Sequence, residues 1–397
     1  MQLNALPSIT PVRIRGATAG FIFLVILAFL PVLYKEFSYT HTWQFHIPEG
    51  QKSSGINSPV PFYRNGFIQI EGQTPIVHSP SVVELNDGNL LAVWFGGTRE
   101  GVKDVAIYRS IWNRQTGEWT GDSILTGPSD TGEDLGRYIR KVGNPVLLKD
   151  VDGKIWLFYV SASVGAWSGS AVNFRMSTDN GLHWSEARRL VTSPFLNIST
   201  LVRGAPFLYS DGSIGLPVYH EFLRKFGELL RLRPDGTIID KVRISSGGSS
   251  LQPYVVPLDS KKGIAFLRRS GSSPSRVLFS FTDDGGRSWS DTGKLSLPNP
   301  DSSVMGMRTQ DGSLFLVFNN SEKNREDLSL ARSMDNGHTW EVVHVFDERG
   351  AVNDGNRKEF SYPFWIHTRD DMIHLVYTWN RKRIRHVYFN SSWLEGL

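Results

Sequence analysis

The chain has 397 residues, enough for one large domain or two ordinary ones, and it contains no cysteine. Disulfide scaffolding, thiol catalysis, iron–sulfur clusters and cysteine zinc sites are therefore excluded. The formal charge of +4, from 43 Lys and Arg against 39 Asp and Glu, is too small to imply nucleic acid but suits an anionic small substrate. With 38 Gly, 20 Pro, 12 Trp, 12 Tyr and 23 Phe, the composition leans towards turns and aromatic strands and favours an all-β chain.

Between Arg15 and Lys35 lie 19 residues without a charge, including GFIFLVILAFLPVLY. As a helix, residues 16–34 would span about 28 Å and just cross a bilayer. Arg13 and Arg15 precede the run. The positive-inside preference then leaves residues 1–15 cytoplasmic and sends the rest to the periplasmic or extracellular side of the cytoplasmic membrane. No A-x-A-like cleavage site follows, which favours an uncleaved single-pass signal anchor over a removed leader. Residues 35–60 are polar and aperiodic and read as a linker, with the folded body at 61–397.

A short motif, Ser/Thr-x-Asp-x-Gly-x-x-Trp, occurs three times: at Ser177 to Trp184, Thr282 to Trp289 and Ser333 to Trp340. It describes a hairpin turn in which Asp bonds its own backbone, Gly supplies positive φ and Trp folds back as an apolar plug. Ahead of these turns runs a second signature, an apolar strand, a polar turn and another apolar strand. It begins at SVVELNDGNLLAVWF and repeats at NPVLLKDVDGKIWLFYV, APFLYSDGSIGLPVY, YVVPLDSKKGIAFLR, VMGMRTQDGSLFLVF and FWIHTRDDMIHLVYTW. Six such units, each supplying four strands, predict a six-bladed β-propeller. Weaker turns at Gly117 with Trp119 and at Asp235 with Gly236 fill blades one and three. The last blade is a strand short, so an N-terminal strand near GFIQIEG (66–72) is predicted to complete it.

The three turn boxes at blade spacing resemble the Asp-box (BNR) repeats of the sialidase, or neuraminidase, superfamily over roughly residues 64–395. With WFGGTREG, GNPVLL, FSYP and YTWNR the chain looks most like the bacterial predicted-neuraminidase branch. The resemblance implies arginines that clamp a substrate carboxylate, a tyrosine nucleophile paired with a glutamate, and an acid on the leaving-group side. Tyr362, eight residues before Asp370, matches the tyrosine; Arg325 matches the arginine of blade five. In blade four Gln252 stands sixteen before Arg268, where the family has glutamate and arginine. In blade one His78, Ser79 and Pro80 replace the family's Arg-Ile-Pro, removing one arginine. FGGTREGVKDVAIYRS offers Arg99, Glu100 and Asp104, of which Glu100 is the preferred acid/base. Glutamine cannot accept the tyrosine's proton, so either Glu221 or another carboxylate takes the part of the family's glutamate, or the reaction differs.

The reading is a sialidase-like exo-glycosidase acting on a terminal acidic sugar of a glycan. Arg268, Arg325, Arg99, His78 and Glu221 would face substrate; Tyr362, Glu100, Asp104 and Gln252 would carry chemistry. Two alternatives stand beside it: a hydrolase or lyase on a uronate- or rhamnose-containing polysaccharide using His78, and a glycan-binding propeller without catalysis. No cofactor or metal is expected, since His78 and His220 lack tight ligand spacing. Arg268 and Arg269 compete for one pocket-facing position because facing alternates along a strand. Arg137, Arg140 and Lys141 form a basic cluster that is either a solvated face or a second anion clamp.

Overall fold

The computed structural model describes residues 19–27, 30, 42–47, 60–68, 74–193, 197–271, 275–348 and 358–397. It divides into two units, Met1–Thr42 and Trp43–Leu397. In the first, residues 19–27 and 30 are helical and exposed. The rest of the 16–34 run lies outside the described residues, and no described helix is long and apolar enough to cross a membrane.

The second unit is a six-bladed propeller, six antiparallel sheets in chain order. Their innermost strands are Ile76–Glu84, Lys141–Lys149, Leu201–Val202 with Phe207–Leu208, Ser250–Pro257, Met305–Arg308 and Phe360–His367. These strands, covered on both faces by neighbouring blades, read as near-continuous apolar runs, as doubly buried strands do. Between blades the core is aromatic: Trp94, Trp156, Phe158, Phe174 and Phe266 are all at most 2% exposed. Each such side chain contributes roughly 2–3 kcal/mol by leaving water.

Closure of the ring follows the prediction with a shift. Strand Tyr63–Phe67, which overlaps the start of the predicted 66–72, pairs with Arg383–Asn390 to complete blade six; residues 69–72 lie outside the described residues. The bulky, alternating YRNGF is the part that fits the sheet edge: Tyr63 stacks on Phe389 and Trp393. The predicted linker also contains structure. Phe45 is 2% exposed and stacks on Tyr209, and its amide donates to the carbonyl of Ser260 at 2.7 Å. Trp43 lies over the Arg231 guanidinium. Polarity averaged over 35–60 hid two aromatic side chains whose burial outweighs it.

The three boxes are near-identical. The Ser177, Thr282 and Ser333 hydroxyls each accept from the amide of the box glycine at 2.9 Å and donate to the box aspartate. Each aspartate accepts from the amide four residues on, and each Trp indole donates to the glycine carbonyl at 3.0 to 3.1 Å. Gly181, Gly286 and Gly337 sit at φ 81°, 91° and 93°, which a side chain would strain. In the degenerate box of blade one the indole of Trp119 instead donates to His386 of blade six, at 3.2 Å.

Candidate active site

Four innermost strands break register at an X-Pro dipeptide: Ser79-Pro80, Asn144-Pro145, Gln252-Pro253 and Tyr362-Pro363. Proline cannot donate to a ladder, so each dipeptide forms a bulge, and the residue before it takes φ of 55°, 48°, 50° and 55°. Such backbone costs on the order of 1–3 kcal/mol per non-glycine residue and persists only where its surroundings hold it. Here the bulges re-aim Asn144, Gln252 and Tyr362 towards one another. Each bulge residue stands eight before the turn that ends its strand, and Arg203 and Ser303 hold that station in blades three and five. That common phase is the sequence signal for the site; the family pattern singles out Tyr362 and Gln252 among its members, but not Asn144 or Arg203.

Around the Tyr362 phenol the blades converge. Arg268 donates from Nη1 to the Tyr362 hydroxyl at 3.4 Å and to Gln252 Oε1 at 3.3 Å, while its Nε meets Asp301 Oδ1 at 2.5 Å. Gln252 Nε2 and Asn144 Nδ2 both donate to the Tyr219 hydroxyl, at 3.4 and 3.2 Å. Burial raises the Tyr362 phenol, but Arg268 and Arg325 more than reverse this, so it lies below the usual tyrosine range. Tyr219 is pushed far up by burial and by the Glu221 and Tyr362 charges, which Gln252 and Arg268 only partly oppose. Two phenols in one pocket are thus set apart by their neighbours.

Sequence reasoning missed Arg203, Glu359 and Arg381. Arg203 is 2% exposed and donates from Nη2 to the carbonyls of Tyr362 and Pro363 at 2.8 and 3.0 Å. Its guanidinium lies 5.3 Å from the Tyr362 ring centroid. Burial brings its pKa down to about 10. Glu359 accepts from Arg325 Nη1 at 3.1 Å and Arg381 Nε at 2.7 Å. Against the effect of burial, the Arg381 bond and the electrostatics of His78, Arg381 and Arg325 hold its carboxyl at about 2. Arg381 reaches on to Glu100 Oε2 at 3.1 Å, and its charge acts on Tyr362.

The remaining predicted residues divide. His78 is buried, edge-on to Tyr362 with ring centroids 4.5 Å apart; burial and Arg381 keep it neutral. Glu221 is raised by burial, although Arg268 opposes the shift, and it also senses Asp301 and Glu100. Arg325 lies 5.9 Å from the Tyr362 ring. Arg269 turns its amide to Asn299 while Arg268 enters the pocket. Asp104 does not join the cluster: its carboxylate accepts from the Thr98 amide at 2.9 Å and caps its own loop. Arg99 is exposed on that loop and outside the cluster. His220 pairs with Glu228 at 2.7 Å.

Residues 88–375 match the BNR repeat-like domain family. The chain belongs to that family. Its fold is shared with a Hadza microbial sialidase, at TM-score 0.67 and 16% identity over 80% of this chain and 66% of the other. It is shared equally with a protein of unknown function from Dyadobacter fermentans, at 0.66 and 15% over 83% of this chain and all of that one. A leech intramolecular trans-sialidase complexed with 2,7-anhydro-Neu5Ac gives 0.64 and 14%, over 84% and 71%. No curated protein matches the chain. At these identities the likeness is one of fold, and this BNR repeat-like protein's chemistry rests on its own residues.

Proposed function

We propose that this protein is a sialidase-like exo-glycosidase that hydrolyses a terminal acidic sugar from glycans. One observation carries the reading: guanidinium groups from blades four, five and six, Arg268, Arg325 and Arg381, surround the phenol of Tyr362. Planar forks suit a carboxylate, and the same cations compensate the charge of an ionised Tyr362 phenol as it meets an anionic sugar. The leech trans-sialidase and the Hadza sialidase share the scaffold and support the class.

In this reading the arginines bind the sugar carboxylate and favour the Tyr362 phenolate, so that Gln252 is needed only to hold Arg268. Tyr362 Oη bonds to the anomeric carbon as the glycosidic C–O bond breaks. Glu221, kept protonated more readily by burial, gives its proton to the leaving oxygen. Water then attacks the anomeric carbon, Glu221 takes its proton, and Tyr362 leaves. Glu100 is committed to Arg381 and is the less suited acid. Tyr362→Phe should remove turnover of a fluorogenic sialoside by about 10³-fold or more, leaving binding of a sialic-acid analogue within a few-fold. Wild-type turnover in that variant would reject the reading.

Gln252 and the neutral, buried His78 favour a second reading, cleavage of a uronate- or rhamnose-containing polysaccharide. A screen of uronate oligosaccharides against sialosides separates the two. We also propose that residues 16–34, an uncharged run whose described part is an exposed helix, anchor the propeller outside the cytoplasmic membrane. Membrane fractionation with and without residues 1–34 tests it.

A further inference from the structure

Lys141 opens the innermost strand of blade two, three residues before the bulge at Asn144, the station that Glu359 holds before Tyr362 in blade six. The equal offset gives it the level in its blade that Glu359 has in blade six. The side chain is 6% exposed, yet its ammonium forms no ion pair among the described residues. It lies 3.7 Å from the ring centroid of Trp167, and Glu100 and Glu221 act on it from a distance. Arg140, next to it and exposed, also lacks a carboxylate contact among the described residues. The two cations border a separate pocket of about 120 Å³ with Gly101, Ala162 and Ser163.

Two adjacent like charges, one of them buried, are costly unless something neutralises them. The Glu100 carboxylate is engaged with Arg381 at 3.1 Å and does not do so directly. Gly101 borders the ammonium at φ 84°, a backbone conformation that side chains rarely adopt. Arg137, the third member of the basic run, does not border the pocket; its charge acts on Arg189.

We infer that Lys141 and Arg140 form a second anion subsite, which takes a carboxylate or sulfate on the sugar adjoining the bond that is cleaved. The substrate is then a polyanionic glycan. This deepens the glycosidase reading and rests on it for the position of the cleaved bond.

The test uses the full chain and two readouts. Turnover is compared for 3′-sialyllactose and for the same trisaccharide sulfated on galactose, in wild type, Lys141→Met, Arg140→Gln and Lys141→Arg. Wild type should favour the sulfated substrate by about tenfold in kcat/KM, a typical effect of one charge-assisted contact. Lys141→Met should abolish the preference through KM, with the rate on unsulfated 3′-sialyllactose unchanged, and Lys141→Arg should restore it. Calorimetry with a sulfated and a uronate disaccharide, neither carrying sialic acid, then reads the subsite without turnover and distinguishes sulfate from carboxylate. Equal turnover of both substrates, with disaccharide binding the same in wild type and Lys141→Met, overturns the inference. If no glycan is cleaved but disaccharide binding still falls in Lys141→Met, the glycosidase reading fails and the anion subsite stands.

Discussion

The amide of Val77 donates to the carbonyl of Arg381 at 2.8 Å, tying the first blade to the last hairpin of the sixth one residue before His78. The sequence lacks an arginine where the family's first blade carries one, and His78 occupies that place. Because the two blades are joined here, a guanidinium from the sixth blade arrives beside the gap. On the proposed reading, the carboxylate clamp would draw its three arginines from blades four, five and six.

Arg381→Ala should therefore lower kcat/KM on the cleaved glycan by about 10²-fold, the usual scale for losing one charged partner of a bound carboxylate. Arg381→Lys should recover only part of this, since an ammonium cannot span Glu359 and Glu100 as the fork does. Equal activity of the lysine variant and wild type would show that geometry at this position is unimportant.

Glu359 holds two of those arginines, and its folded pKa of about 2 lies below the 4.5 of the unfolded chain. A depressed carboxyl stabilises the fold above its unfolded pKa and stops doing so as pH falls through its folded value. His78 is neutral at pH 7, so Arg381 and Arg325 supply the attraction there, worth on the order of 2 kcal/mol. Glu359→Gln should cost about that much at pH 7 by urea unfolding. The gap from wild type should shrink below pH 4.5 and close near pH 2. A gap that stays constant with pH would disprove the linkage.

Buried histidines act in the opposite direction of charge. His386 Nδ1 accepts from the Trp119 indole, so its proton sits on Nε2 and is donated to His374 Nδ1 at 3.0 Å. Burial depresses both, His374 to about 4 and His386 well below 6.5. The unfolded chain takes up these protons first, so stability is complete above pH 6.5 and declines as pH falls towards the folded values. At pH 5 each such ring costs about 2 kcal/mol. His386→Gln should be less stable than wild type at pH 7 by about 1–2 kcal/mol, with the difference narrowing by pH 5. Parallel unfolding midpoints across that range would contradict this.

The propeller was legible because its repeats are local: box, turn and strand each lie within a few residues, and Ser177, Thr282 and Ser333 make the same bonds in triplicate. The site was legible only in part. Tyr362, Arg268, Arg325 and Gln252 were implied by the resemblance to sialidases, whose motifs sit at local offsets that this chain keeps. Arg203, Glu359 and Arg381 act through contacts between blades, as in the 159-residue separation of Arg203 and Tyr362, which no local spacing records. Asp104 misled for the converse reason, since a carboxylate six residues from Thr98 serves its own loop and looks alike in sequence.

Arg203 makes a demand on Tyr362 that stability alone would not reveal. Its Nη2 holds the Tyr362 and Pro363 carbonyls, fixing the positive-φ bulge, and its charge lies under the phenol ring. Replacement by Met leaves two carbonyls without a donor, at roughly 1–3 kcal/mol each. It also removes a buried cation, which offsets much of that cost. The net change in unfolding free energy should accordingly be small, within about 1 kcal/mol. The phenol, however, loses a stabilising charge and a fixed backbone. Ultraviolet difference titration should show Tyr362 ionising at higher pH in Arg203→Met, and kcat should fall about tenfold with KM little altered. An unchanged phenol titration, with activity lost only as the fold is lost, would reduce Arg203 to a structural cation.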